Sequence, residues 1–424
     1  MLSQIPLAKQ NRPHETEFSE PKRLLVPADS DGSASEIREK LWSLTESLPV
    51  PVHMVVQAYF DWLTGKPRSG QQPLWSSNPW LELCFGIVEF IGGATIWLMV
   101  GNSPQTWLFI PASWLLTIAG SVQLREVAHH CAHQRFSREK LLNFLVGSII
   151  TAVVQMKEFT SFKSYHNTQH HHLEKLATME HDPANKPYLV NTLKFQPGRS
   201  KDFYWQRLWQ ILVSPQFHFQ TLSVRLRDSL VAAPLYHRLL TLSWFSAVLT
   251  VVAVTHSWVH FLLWVIPSQI GFQVAVLLQL ITEHNWGYVA TPGESSKSLL
   301  LGKCMSRFLG SAPPNATLCQ QPLAWLNWSL QMVGYVVTRM TVLCLNLPAH
   351  SYHHTFPNNQ NWANEIYDLQ EFTNAGCLNW PGKFPEVWGL WNAIDFVFES
   401  LSREPQKYRP NKATTSPKAM PEKD

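Results

Sequence analysis

The sequence predicts an all-α integral membrane protein, with four transmembrane helices in two hairpins and a cytoplasmic helical cap that carries histidine clusters. Three observations predict it. Residues 82–124 and 239–282 contain no Lys or Arg, and each stretch is about twice the roughly 20 residues that a helix needs to cross a bilayer core of about 30 Å. All 34 Lys and Arg lie outside them, 8 in residues 1–81, 15 in 125–238 and 11 in 283–424. More than half of the 18 histidines gather in three short stretches.

Residues 1–81 mix acidic and basic side chains and hold no apolar run of a signal or transit peptide. The first hairpin is LELCFGIVEFIGGATIWLMVG, the short NSPQ, then TWLFIPASWLLTIAGSVQL. The second is LLTLSWFSAVLTVVAV, a turn near THSW, then VHFLLWVIPSQIGFQVAVLLQLIT. Trp80, Trp97, Trp107 and Trp258 fall near the span ends, where amphipathic aromatic rings are expected at the membrane interface. Glu89, inside the first span, is expected to face protein. Residues 142–156 are short for a span, and residues 324–345 carry Asn327, Gln331 and Arg339. The first is expected as a buried or interfacial helix, the second as an amphipathic helix lying on the membrane. An even number of spans puts the three charged segments and both termini on one side, which the positive-inside rule makes cytoplasmic. The net charge of +4 then reflects orientation and calls for no nucleic-acid partner.

That topology collects the histidines. REVAHHCAHQRF holds His129 and His133 one helical turn apart, and SYHNTQHHHLEK holds His166 and His170, again four apart, with His171 adjacent. LPAHSYHHTFPN holds His350, His353 and His354, and His284 stands alone in ITEHNWGY at the end of the fourth span. The patterns are H-x3-H, H-x3-H-H and H-x2-H-H. His256 and His260 fall at the far turn of the second hairpin and are read as structural. Neutral imidazole is the commonest metal-binding side chain, and nine of them exceed the four to six positions around one ion, so two metals are implied. Imidazole suits zinc, copper, iron and nickel alike, but a site reached by lipid from the bilayer and by electrons from the cytosol fits redox-active iron. The six cysteines show no C-x-x-C pair and suggest neither a thiolate zinc site nor a disulfide framework. Cys131 is read as packing.

The three patterns, in this order and separated by membrane hairpins, resemble the histidine boxes of the integral-membrane fatty acid desaturase and hydroxylase superfamily. HSYHHTFPN resembles its third box, and TEHNWG is similar to an E-H-x-x-G segment of the alkane-hydroxylase branch. The resemblance implies two iron ions held by His129, His133, His166, His170, His171, His284, His350, His353 and His354. It further implies O2-dependent oxidation of a lipid hydrocarbon chain, by desaturation or by hydroxylation. His130 and His172 are surplus to the pattern, and Glu126, Glu283 and Asp182 are candidates to orient the ligating rings. Residues 82–360 are expected as a membrane-bound desaturase-like catalytic domain. Residues 361–402 are expected as a cytoplasmic cap and 403–424, charged and proline-bearing, as a disordered tail. No nucleotide-binding glycine turn, iron–sulfur cysteine set or fused cytochrome b5 motif occurs, so a separate ferredoxin or cytochrome b5 is expected to supply electrons. The competing reading is an integral-membrane metal transporter, which would place ligands along a path within its spans.

Overall fold

The computed structural model describes residues 30–100, 104–172, 175–179 and 185–404. Asp182, the first two residues of the NSPQ turn and the expected tail from residue 405 onward lie outside these residues.

The protein is mostly helical. Helices α1 (Ser30–Ser43) and α2 (Val50–Thr64) come first. α2 starts with a proline in its first turn and stops at Gly65, which sits at φ 70°. A Cβ there would also lie 2.4 Å from Pro348 Cβ, so glycine serves both the left-handed cap and the close approach to the segment before the third histidine cluster. α3 (Pro79–Val100) and α4 (Ile110–Ala132) pack along one another, and a Cβ at Gly120 would lie 2.4 Å from the backbone nitrogen of Phe90. After them come α5 (Lys140–Val153), α6 (Phe159–Tyr165), α7 (Lys201–Leu212), α8 (Pro215–Arg227), α9 (Leu235–Val254) and α10 (Trp258–Glu283).

Four helices are long and apolar enough to cross a membrane: Pro79–Met99, Trp107–Ala132, Leu235–Val254 and Trp258–Glu283. α5 is apolar but too short. Among the aromatic residues at the span ends, Trp80, Trp107 and Trp258 are exposed. Trp97 is not: it is buried and stacks on Trp264 at 5.5 Å. A ring that meets a partner from the neighbouring span is worth more as core than at an interface. Glu89 lines a cavity of about 470 Å³ with Glu82, Gln123 and Arg339.

Beyond α10 lie α11 (Ser296–Lys303), strand β1 (Ser306–Phe308) and α12 (Pro322–Thr341). α12 exposes Leu323, Leu326, Leu330, Val333 and Val337, a 3-4-3-4 spacing that makes one apolar stripe. It stops short of the expected residue 345 because Arg339 turns back to donate to the carbonyls of Leu343 and Leu345 and to that of Trp62. The chain closes with α13 (His350–Thr355), α14 (Glu365–Asn374), β2 (Glu386–Trp388) and α15 (Leu390–Arg403). β1 pairs with β2 in parallel, Ser306 opposite Glu386. α15 packs on α7 and α10, and Leu277, Ile281, Trp286, Ile394, Val397 and Phe398 share the largest core.

Candidate metal centre

Each histidine reaches the centre by a different local device. α4 places His129 and His133 one turn apart at its C-terminal end, and the Glu126 carboxylate accepts from His129 Nδ1 at 2.8 Å. That contact fixes the ring so that Nε2 faces inward. α6 is N-capped by Glu158, which accepts from the backbone N–H groups of Thr160 (2.6 Å) and Ser161 (2.9 Å). It then widens into a π-turn over His166–His170, where His171 N–H donates to His166 carbonyl at 3.0 Å. The wider turn brings His166 together with His171, five residues on, rather than with His170 as α-helical spacing expects. α13 sends His350 and His354, one turn apart, to one side and His353 to another. His284 follows the last residue of α10 in extended backbone (φ −138°, ψ 160°) and bridges to Cys304.

The result is two groups. His129, His133, His166, His171 and His353 form one, and His170, His284, His350 and His354 the other; within each, one ring nitrogen per residue lies within 4.8 Å of the rest. In the first group Nε2 atoms approach at 3.0 Å (His129–His353, His133–His166, His166–His171) and 3.2 Å (His171–His353). In the second the approaches are 3.1 Å (His350–His354) and 3.3 Å (His170–His284). Burial, and next the crowding of neighbouring rings, holds His133, His166, His171, His284, His350, His353 and His354 well below the ordinary imidazole range. They are therefore neutral at neutral pH. A neutral ring has one N–H, so N–H···N bonds cannot satisfy every converging lone pair, whereas a central cation can. The spacing fits as well: donors bound at roughly 2.1 Å sit about 3.0–3.4 Å from their neighbours in octahedral or tetrahedral arrangements.

All nine expected candidates are thus brought together, and the surplus ones are not. His172 is exposed, His256 is exposed at the far turn, and His260 rests against Trp107 at 5.5 Å. Cys131 is packed among Phe136, Ile150 and Phe159 and joins neither group. His130 is fully buried, stacked between His129 (5.0 Å) and Trp362 (3.9 Å), and its Nε2 meets Asn346 Oδ1 at 3.0 Å. The two expected carboxylates differ. Glu126 meets the outer nitrogen of its ring, while Glu283 Oε1 lies 3.3 Å from Nε2 of His350 and 3.7 Å from Nε2 of His170.

Sequence reasoning missed Arg135, Glu365, Asn346 and Trp362. Buried Arg135 faces His353 Nδ1 at 2.6 Å, donates to the Asn359 carbonyl and pairs with Glu365. Asn346 donates to Glu365 at 2.5 Å, and Trp362 Nε1 donates to the Arg135 carbonyl at 3.0 Å. These ties join the turn after the first cluster to the chain after the third. No local spacing marks them, because their partners are more than 200 residues apart for Arg135 with His353, Asn359 and Glu365.

A family profile described as fatty acid desaturase matches residues 105–364. An sn-1 oleoyl-lipid 12-desaturase of Anabaena variabilis is 22% identical over 289 residues, 63% of this chain and 73% of that protein. An sn-1 acyl-lipid omega-3 desaturase (ferredoxin) of Nostoc sp. (strain 36) is 28% identical over 102 residues, 24% of this chain and 27% of the relative. The chloroplastic omega-6 fatty acid desaturase of Spinacia oleracea is 22% identical over 176 residues, 41% of this chain and 36% of its own length.

Proposed function

The chain belongs to the fatty acid desaturase family, and we propose that it is a membrane-bound, O2-dependent di-iron oxidoreductase that desaturates the acyl chain of a lipid. The observation that carries this reading is the convergence of nine imidazoles, seven of them buried, into two groups, five and four strong. His129, His133, His166, His171 and His353 would hold one iron, and His170, His284, His350 and His354 the other. Iron held there supplies the O2-dependent removal of hydrogen from unactivated carbon. The chain's own residues do the rest. Glu126 keeps the His129 ring turned with Nε2 inward, Arg135 anchors the chain after the third cluster through Glu365 and the Asn359 carbonyl, and the stacked Trp362–His130 pair is buried beside the site.

In this reading α3 with α4 and α9 with α10 form two membrane hairpins, with both termini and the histidine end on the cytoplasmic side. Residues 82–360 act as the catalytic unit, and 361–402 as its cap. α12 lies on the membrane with its apolar stripe inward to lipid. The acyl-lipid substrates in the relatives' names support an acyl chain carried on a lipid, and one name supports ferredoxin as the electron donor. A transporter would set its ligands along the spans, whereas here they gather at the ends of α4 and α10 and beyond.

The test is expression in a host whose lipids are known, followed by mass spectrometry of extracted lipids. A product two mass units lighter than its precursor, formed only with iron and O2, supports desaturation. A product sixteen units heavier points to hydroxylation, and unchanged lipids from an iron-loaded, reductant-supplied protein would overturn the reading.

A further inference from the structure

We propose that Glu283 is itself a ligand of the second metal position, so that four imidazoles and one carboxylate stand there against five imidazoles in the first. The proposal rests on the two-metal reading and asks what completes the smaller group.

Glu283 is set apart by the nitrogens its carboxylate meets. A carboxylate that orients a metal-bound histidine takes the N–H on the ring's outer nitrogen, as Glu126 does with Nδ1 of His129 at 2.8 Å. Glu283 does the opposite. Its Oε1 lies 3.3 Å from Nε2 of His350 and 3.7 Å from Nε2 of His170. Those same nitrogens meet Nε2 of His354 (3.1 Å) and of His284 (3.3 Å), so they point into the group. The oxygen therefore lies on the inward side of two of the four rings. Its separation from His350 fits the roughly 3.0–3.4 Å edge between neighbours around one ion, and that from His170 is a few tenths of an ångström longer. It borders the four-ring set, and a small side-chain rotation would bring it in.

The local backbone allows it. Adjacent residues in a helix diverge by about 100° and cannot both reach one point. Glu283 is the last residue of α10 and His284 is extended, so the break in conformation lets consecutive side chains turn to the same centre. Charge favours it too. Glu283 is 8% exposed, and among the described residues no Lys or Arg lies within ion-pair distance of it. Buried Arg307 feels the charge of Glu283 without touching it. A buried carboxylate with no partner in contact is costly, and so is an ion whose only donors are neutral. Placing the two together answers both. Glu126 beside the first group and Glu283 within the second then give each ion one nearby negative charge. A hard oxygen donor also favours iron or manganese over copper(I).

The experiment uses the full-length protein in detergent, loaded anaerobically with iron(II), and counts metal per chain. We expect two ions in the wild type and one in Glu283→Ala, with added formate restoring the second by filling the vacated position. Glu126→Gln should keep two, bound about 10–100-fold more weakly, as loss of an orienting partner does. Wild-type protein grown on glutamate carrying 13C in its side-chain carboxylate and loaded with manganese(II) needs no variant. A strong 13C coupling to the metal electron spin is expected, since Glu126 is separated from its ion by a whole ring. Two ions held at wild-type affinity by Glu283→Ala, or absence of that coupling, would overturn the ligand. A wild type that binds no metal would instead sink the two-metal reading beneath it.

Discussion

Histidines and aromatic rings occur at both ends of the helical bundle, yet the two ends differ completely. At one, nine rings from four chain segments turn ring nitrogens onto two points, and all but His133 and His171 are buried. At the other, where α9 meets α10, His256 is exposed at φ 52° and His260 leans on Trp107. Residue type is shared; convergence and dryness are not. Metal affinity comes from donors fixed in place by burial and by partners on their outer nitrogens, and only the first end supplies these.

The largest effect is expected from the rings themselves. His353→Ala removes a member of the five-ring group and His354→Ala one of the four-ring group. Each should abolish desaturation, losing more than the roughly 10–100-fold that an outer partner is worth. Bound iron should fall from two toward one per chain. His256→Ala should keep activity and both ions. Iron lost from His256→Ala and kept by His353→Ala would reverse the assignment of the two ends.

A second test asks whether the two ends lie on opposite sides of a membrane. Exposed Asn191, in the π-turn Tyr188–Thr192, is the probe of the central segment, since its neighbour Val190 is only 5% exposed. Exposed Cys84 and Cys319 must first be removed. An impermeant thiol reagent added to intact cells should then label His256→Cys and leave Asn191→Cys untouched until the cells are opened. Labelling of Asn191→Cys from outside would put α5 across the bilayer and part the second cluster from the first.

The third test is pH. Seven rings at the converging end are held well below the ordinary imidazole range. Below about 6.5 the unfolded chain therefore binds more protons than the folded one, and stability falls as pH falls through that value. Glu365 acts in the other sense. Burial outweighs its Arg135 partner and pushes it up to about 7, so its contribution is lost as pH rises from about 4.5 toward 7. Burial also raises Asp61, to about 6, and Asp368, which act in the sense of Glu365. The seven rings outnumber these acids, and metal-free protein should melt at a lower temperature at pH 5.5 than at pH 7.5. A melting temperature that rises on acidification would mean the rings are wet or already charged.

How much of this was legible in the sequence depends on range. Two arginine- and lysine-free stretches match the four long apolar helices because length and hydrophobicity are local properties. The pairing of His129 with His133 follows from helical spacing alone. The pairing of His166 with His171 does not, since it needs a π-turn that no spacing rule selects. Trp97 was expected at an interface and is core, because its partner Trp264 comes from another span. Arg135 with Glu365, and β1 with β2, join residues far apart in the chain, and nothing near either partner announces the other. Glu126 and Glu283 look alike in sequence; only the nitrogen each one meets tells them apart.

The smallest effect concerns electrons. Reducing O2 to water takes four, desaturation yields two, and the remaining two must come from a carrier. The proposed cytoplasmic segments are not equally suited to receive it. Residues 125–238 hold 15 Lys and Arg against 8 Asp and Glu, a surplus of seven, whereas residues 283–424 hold 11 of each and are balanced. Arg138, Lys140 and Lys157 are exposed in the first of these and flank the first two histidine clusters. An acidic ferredoxin should therefore dock near the converging end, steered by charge that salt screens over about 10 Å at 0.1 M. Reversing Lys140 to Glu should slow turnover a few-fold at low salt while leaving single-turnover desaturation by pre-reduced protein intact, and the difference from wild type should vanish as salt rises. A negative charge placed at the far end, as in His256→Glu, is out of the carrier's reach and should change nothing. If turnover with ferredoxin proves independent of salt, or if NADH alone sustains it, the carrier does not use this surface and the electrical distinction between the two ends is lost.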